Sequence, residues 1–224
     1  MGASRFFMAT MVVFLGVILS GCQVNQKKYD YSAFKESRPA SILVLPPINN
    51  SPDINATYSV LSTVTVPLAE SGYYVLPVTL VDETFRQNGL TSPNDIHSVS
   101  PAKLAEIFDA DAALYIEVSD YGTRYMVLAS ETRVTANAKL VDLSNGQELW
   151  AGEATASSAE SRSNSGGGLV GLLIQAAVQQ IIEDVMEAGH SIAGITSRRL
   201  LFAGQTNGML YGPRSPQYKK DPTP

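Results

Sequence analysis

The chain has 224 residues and a mass of 24.0 kDa, with 45% hydrophobic and 17% charged side chains and a formal net charge of −5. That is the make-up of one folded domain or at most two small ones, not of a collagen, a coiled coil or a wholly disordered chain. Its sixteen Lys and Arg are scattered, so no basic stripe is available to a phosphate backbone, which argues against a nucleic-acid partner.

Residues 1–21 open with Arg5 and continue as the apolar run Phe6 to Leu19, a positive head and a hydrophobic stretch of signal-peptide length. The run closes on Leu19-Ser20-Gly21-Cys22, which resembles the bacterial lipoprotein signal. The resemblance implies that small residues admit the peptidase and that Cys22 is acylated and becomes the new amino terminus. Cys22 is the single cysteine of the chain, so no intramolecular disulfide competes for it. Each buried acyl methylene contributes about 0.8 kcal/mol, and several chains make a durable membrane anchor. Gln23 follows the cysteine, and by resemblance to the sorting rule of enteric-type bacteria a residue other than Asp there directs the product to the outer membrane. Arg5 is the only charged side chain lost on cleavage, so the net charge moves from −5 to −6.

Residues 22–38 are polar and without period up to Pro39, and they read as a tether, with the folded domain assigned to 39–204. Ser41-Ile42-Leu43-Val44-Leu45 is a short apolar run stopped by Pro46-Pro47, a buried strand. Val60, Leu61, Val64 and Leu68 then fall at helical spacing over 56–71, with a kink expected at Pro67 and an exit at Gly72. A second strand is predicted at Tyr73-Tyr74-Val75-Leu76. A capping box at Thr79 to Asp82 should start a helix reaching Asn88, and Ser100-Pro101 should start another carrying Leu104, Ile107 and Phe108.

From Ala112 the period becomes two. Leu114, Ile116 and Val118 alternate with polar neighbours, as do Val134, Ala136, Ala138 and Leu140. Asn145-Gly146 marks a hairpin into Glu148–Ala154, so strands over 112–121, 127–141 and 148–157 form an antiparallel meander. Ile174, Val178, Ile181, Ile182 and Val185 line one face of a long helix over 172–188, expected to end at Gly189 and to cover the sheet. Residues 205–224, rich in Pro and charge, read as an extended mobile tail. The fold class is therefore α/β: one three-layer-like domain with a mixed sheet, an antiparallel meander in its second half and a long covering helix.

Two short motifs suggest chemistry. Gly166-Gly167-Gly168-Leu169-Val170-Gly171 spells G-x-G-x-x-G, but no buried strand precedes it and no acidic ribose partner follows, so no nucleotide is expected. With Leu172 and Leu173 it forms an apolar loop too short to span a bilayer and suited to docking on a membrane or partner. Gly189-His190-Ser191-Ile192-Ala193-Gly194 approaches the nucleophile elbow of α/β-hydrolases, making a serine esterase built on Ser191 one rival reading. The only histidines are His97 and His190, without clustered ligands, and neither metal nor cofactor is expected.

The Leu19-Ser20-Gly21-Cys22 signal, the Ile42 to Pro47 strand, Ser71-Gly72-Tyr73-Tyr74-Val75-Leu76-Pro77, the Leu140 to Trp150 hairpin and Leu210-Tyr211-Gly212-Pro213 together resemble a family of bacterial outer-membrane lipoproteins of unknown function. The resemblance implies a fold like the TolB amino-terminal domain, kinship with the curli-secretion lipoprotein CsgG, and no catalytic residues. The expected role is non-enzymatic: an accessory or scaffold subunit on the periplasmic side of the outer membrane, bound to other envelope lipoproteins of the CsgG-like kind. A surface-displayed antigen or adhesin is the second rival. An edge strand could also pair with a second copy to make a homodimer.

Overall fold

The computed structural model describes residues 29–125, 130–160 and 185–220. Its centre is a six-stranded mixed sheet, built from β1 (Ser41–Val44), β2 (Ile48–Asn49), β3 (Tyr74–Val75), β4 (Ala112–Tyr125), β5 (Ser130–Asp142) and β6 (Glu148–Ser157). The order is β3-β1-β4-β5-β6. β1 lies parallel between β3 and β4, and β2 continues β1 along the same side of β4. The meander β4-β5-β6 is antiparallel, as the period-two pattern predicts.

Seven helices are described: α1 (Ser32–Ser37), α2 (Ala56–Thr63), α3 (Thr65–Glu70), α4 (Val78–Gln87), α5 (Pro93–His97), α6 (Pro101–Phe108) and α7 (Val185–Leu201). On one face of the sheet, Leu114, Ile116, Val118, Val134, Ala136 and Leu140 pack against Phe34 of α1, Val60 and Leu61 of α2, Leu68 of α3 and Ile192 and Leu201 of α7. On the other, Leu43, Ala113, Tyr115 and Val141 meet Val81 and Phe85 of α4, Ile96 of α5 and Leu104 of α6. Alternate side chains of a strand point to opposite faces, so each run feeds both cores. The α/β class, mixed sheet and three layers thus agree with the sequence reading.

Local differences have physical causes. The helix expected over 56–71 breaks at Val64, leaving Pro67 in the first turn of α3, where its missing N–H costs nothing. No capping box forms at Thr79; α4 starts at Val78, after Pro77, and Asp82 instead pairs with Arg86 at 3.0 Å. Ser100 does cap α6, accepting from the Lys103 amide, with Pro101 in the first turn. Asp111 accepts from the Ala40 and Ser41 amides, both at 2.8 Å, and so fastens the start of β1 to the start of β4.

Two terminal assignments are corrected. Residues 29–37 are not tether: Tyr31 and Phe34 are buried, and the Tyr31 hydroxyl donates to the Gly208 carbonyl at 2.6 Å. Residues 205–216 are not an extended tail either. Met209 is buried, the Trp150 indole N–H donates to the Asn207 carbonyl at 3.0 Å, and the Gly212 and Arg214 amides bond the Ser71 and Gly72 carbonyls. These residues 205–216 form a strap across the molecule: Gly72 holds φ +96°, and a Cβ there would strike Ser215, so the close contact of Gly72 with the strap requires glycine.

The end expected for the covering helix is corrected as well. Its residues 172–184 lie outside the described residues, and the described helix on the sheet, α7, runs through Gly189 without ending. No described helix is long and apolar enough to cross a membrane.

Candidate functional site

A cleft of about 310 Å³ opens where α2, α7 and the far half of β4 converge. Its walls are Asp53, Ile54 and Asn55 from the loop after β2, Tyr58 and Ser59 from α2, Tyr121, Gly122 and Thr123 from β4, and Gly189 and His190 from α7. The loop is fixed by its own side chains: Asn49 accepts from Ser51 and donates to the Asp53 carbonyl, and the Asp53 carboxylate accepts from the Asn55 amide at 2.9 Å. Gly189 is there for space. A Cβ on it would lie 2.8 Å from the Tyr121 hydroxyl oxygen, so only glycine lets α7 settle on that ring.

At the base, the Tyr121 hydroxyl donates to Ser59 Oγ at 2.7 Å, and Ser59 Oγ lies 3.2 Å from His190 Nδ1. Burial raises the Tyr121 pKa, which keeps the phenol a protonated donor. A serine touching a histidine has the two members of a nucleophile–base pair. The third group of a triad is missing among the described residues, where no hydrogen bond orients the remaining ring nitrogen of His190. Ser59, Tyr121 and His190 stand far apart along the chain and in no recognised spacing, so no sequence signal brings them together.

The candidates named from sequence fall elsewhere. Leu19, Ser20, Gly21, Cys22 and Gln23 lie outside the described residues, as do Gly166, Gly167, Gly168, Leu169, Val170, Gly171, Leu172 and Leu173. Ser191 is described, and it contradicts the hydrolase elbow: it sits inside α7 with helix on both sides, where that motif needs a sharp strand-to-helix turn. No group of three or more metal-ligating side chains occurs among the described residues.

The sheet edges bear on the homodimer expectation. On the edge strand β6, the Ala151 amide donates to the Tyr29 hydroxyl, the Thr155 carbonyl accepts from Arg199, and the Ser157 amide donates to Glu160. These bonds occupy backbone groups that a second copy would need for strand pairing. The Arg199–Glu160 pair lowers the Glu160 pKa, its side-chain hydrogen bond being the main cause. Beside β3, residues 210–215 are laid down by the Ser71 and Gly72 bonds, with the Arg214 guanidinium over the Tyr74 ring.

The family model described as "Putative lipoprotein GNA1162-like" matches residues 29–214, a span that takes in all six strands and reaches into the strap. The chain belongs to the GNA1162-like lipoprotein family. Its likeness to "Putative lipoprotein NMB1124/NMB1162" of Neisseria meningitidis serogroup B (strain ATCC BAA-335 / MC58) is 51% identity over 197 residues, 88% of this chain and 91% of that one. The crystal structure of lipoprotein GNA1162 from Neisseria meningitidis is 52% identical, covers 65% of this chain and 100% of its own, and superposes with a TM-score of 0.52. A PelC dodecamer from Paraburkholderia phytofirmans reaches 17% identity, 72% of this chain, 86% of its own and a TM-score of 0.40, a likeness too low to support inference. GNA1162-like membership makes the chain one of a lipoprotein family and assigns it no catalytic function.

Proposed function

We propose that this chain is acylated on Cys22, sorted by Gln23 to the outer membrane, and acts without catalysis on the periplasmic side as an accessory or scaffold subunit of an envelope or secretion complex of the CsgG-like kind. The TolB-like kinship belongs to the same reading. The observation that carries it is a juxtaposition. The lipobox Leu19-Ser20-Gly21-Cys22 stands seven residues before Tyr29, where the family match begins and where the hydroxyl of that tyrosine is tied to β6. Seven residues reach at most about 25 Å, half the span of a tether running to Arg38, so an acyl group on Cys22 would hold the domain against its bilayer. Confinement of this kind raises the effective concentration of the domain at membrane-bound partners. The apolar segment Gly166–Leu173 is the proposed second contact.

The test is metabolic labelling with a fatty acid, followed by membrane fractionation and crosslinking in intact cells. Label on the wild-type protein, its loss in Cys22→Ser, and an envelope partner captured only by the acylated form are expected. An unlabelled protein released by osmotic shock would end the proposal.

A further inference from the structure

Among the described residues most of the sheet is sealed, and one stretch is not. β2 pairs with β4 only at Glu117 and Val118, and the Asn50 amide bonds the Val118 carbonyl. Beyond that point Asp120–Tyr125 hydrogen-bond as strand to β5 alone among the described residues. The ladder shifts register between Val118 and Asp120, a bulge of the kind that re-aims a strand. Gly122 follows with φ +130°, and a Cβ there would meet nothing closer than Asp53 Oδ2 at 3.9 Å. A glycine inside a strand, facing open space, is where another backbone can come close.

The surroundings give this edge a chemistry. The cleft runs along it, and its rim carries Ile54, 87% exposed, and Tyr58, 49% exposed; Tyr125 at the strand's end is 76% exposed. Among the described residues neither Lys nor Arg lines the cleft, and Asp53 is the one carboxylate that does. Oδ1 of Asp53 is spent on Asn55, while Oδ2 faces the glycine. Asp120 is neutralised by Arg124 at 2.9 Å, which leaves Asp53 as the cleft's uncompensated charge among the described residues.

We propose that the Tyr121–Tyr125 edge of β4 and the adjoining cleft take an extended segment of a partner protein by strand addition, with a Lys or Arg of that segment set against Asp53 and flanking apolar side chains on Ile54, Tyr58 and Tyr125. Main-chain bonds to the open edge supply affinity in this mode, and the side-chain positions supply selectivity. Asp53 disfavours an acidic or phosphorylated segment by like-charge repulsion. The inference rests on the reading of the protein as a binding subunit and specifies the partner's chemistry.

The experiment places a photoreactive phenylalanine at Tyr125, at Leu80 on α4, or at Leu169, in the full acylated protein in intact cells. Crosslinked peptides are sequenced, and the captured segment is synthesised and titrated against the purified chain. Expected results are capture at position 125 of a Lys- or Arg-bearing segment, slowed amide exchange at 121–125 on adding the peptide, and affinity weakened about tenfold by Asp53→Lys. Asp53→Asn retains a side-chain oxygen for Asn55 and should weaken binding in the same direction. Crosslinks from 125 into residues of this chain or a second copy, unaltered exchange at 121–125, or indifference to both Asp53 variants would overturn the proposal. Capture of an envelope protein from positions 80 or 169 but not 125 removes the edge and leaves the accessory role standing. No capture from any position removes both.

Discussion

Gly189 of α7 lies directly on the ring of Tyr121, so close that one added methyl group would sit 2.8 Å from the phenol oxygen. Helix propensity alone favours Ala over Gly by about 1 kcal/mol, whereas overpacking costs about 1–3 kcal/mol. Gly189→Ala is therefore expected to lower the urea midpoint despite its better helix former. The double change with Tyr121→Ala should recover part of that loss, which a double-mutant cycle would measure.

Trp150 joins β6 to the strap: its ring is buried against the sheet and its N–H holds the Asn207 carbonyl. Trp150→Phe is expected to cost about 1 kcal/mol through the lost hydrogen bond, and Trp150→Ala about 3–5 kcal/mol. Limited proteolysis should cut first within 203–212 in the alanine variant, and a protease-resistant strap would contradict the packing described.

Phe34 tests where the tether ends. If residues 29–37 were a linker, Phe34→Ala would be silent; buried as it is, it should cost about 3–5 kcal/mol by chemical denaturation. Lengthening the chain between Gln23 and Lys28 should leave stability unchanged.

His97 gives the fold an acid-sensitive element. Burial pushes its pKa below 6.5, even though its Nε2 lies 2.9 Å from the Pro46 carbonyl. The unfolded chain therefore binds the proton more readily than the folded one, and stability is fully present above pH 6.5 and lost as the pH falls below it. His97→Phe should flatten that part of the stability–pH profile. Glu160, held below its ordinary 4.5 by Arg199, adds a second loss at pH below 4.5, which Glu160→Gln should remove.

Sequence reasoning reached those features whose cause is local. The alternation at Val134, Ala136, Ala138 and Leu140 names residues that the structure buries at 5% or less, and Asn145-Gly146 marks the turn into β6 with Gly146 at φ +74°. It failed where distant residues decide. Gly189 has the look of a helix stop, yet its neighbour is a tyrosine sixty-eight positions away. Tyr31 and Phe34 sit in a polar stretch, and only Gly208 and the α-helical face reveal them as core. The contact of Ser59 with His190 spans 131 positions and no motif encodes it.

The antiparallel pairing places the two ends of this molecule's business apart. Tyr29 grips β6 at Ala151, opposite Lys139 of β5, whereas Tyr121 at the cleft stands opposite Val134, five residues along the same strand. At the pitch of an extended chain that separation is about 17 Å. On the proposed anchoring, the sheet serves as a spacer that carries the recognition groove off the lipid headgroups, toward ligands that approach from the aqueous side.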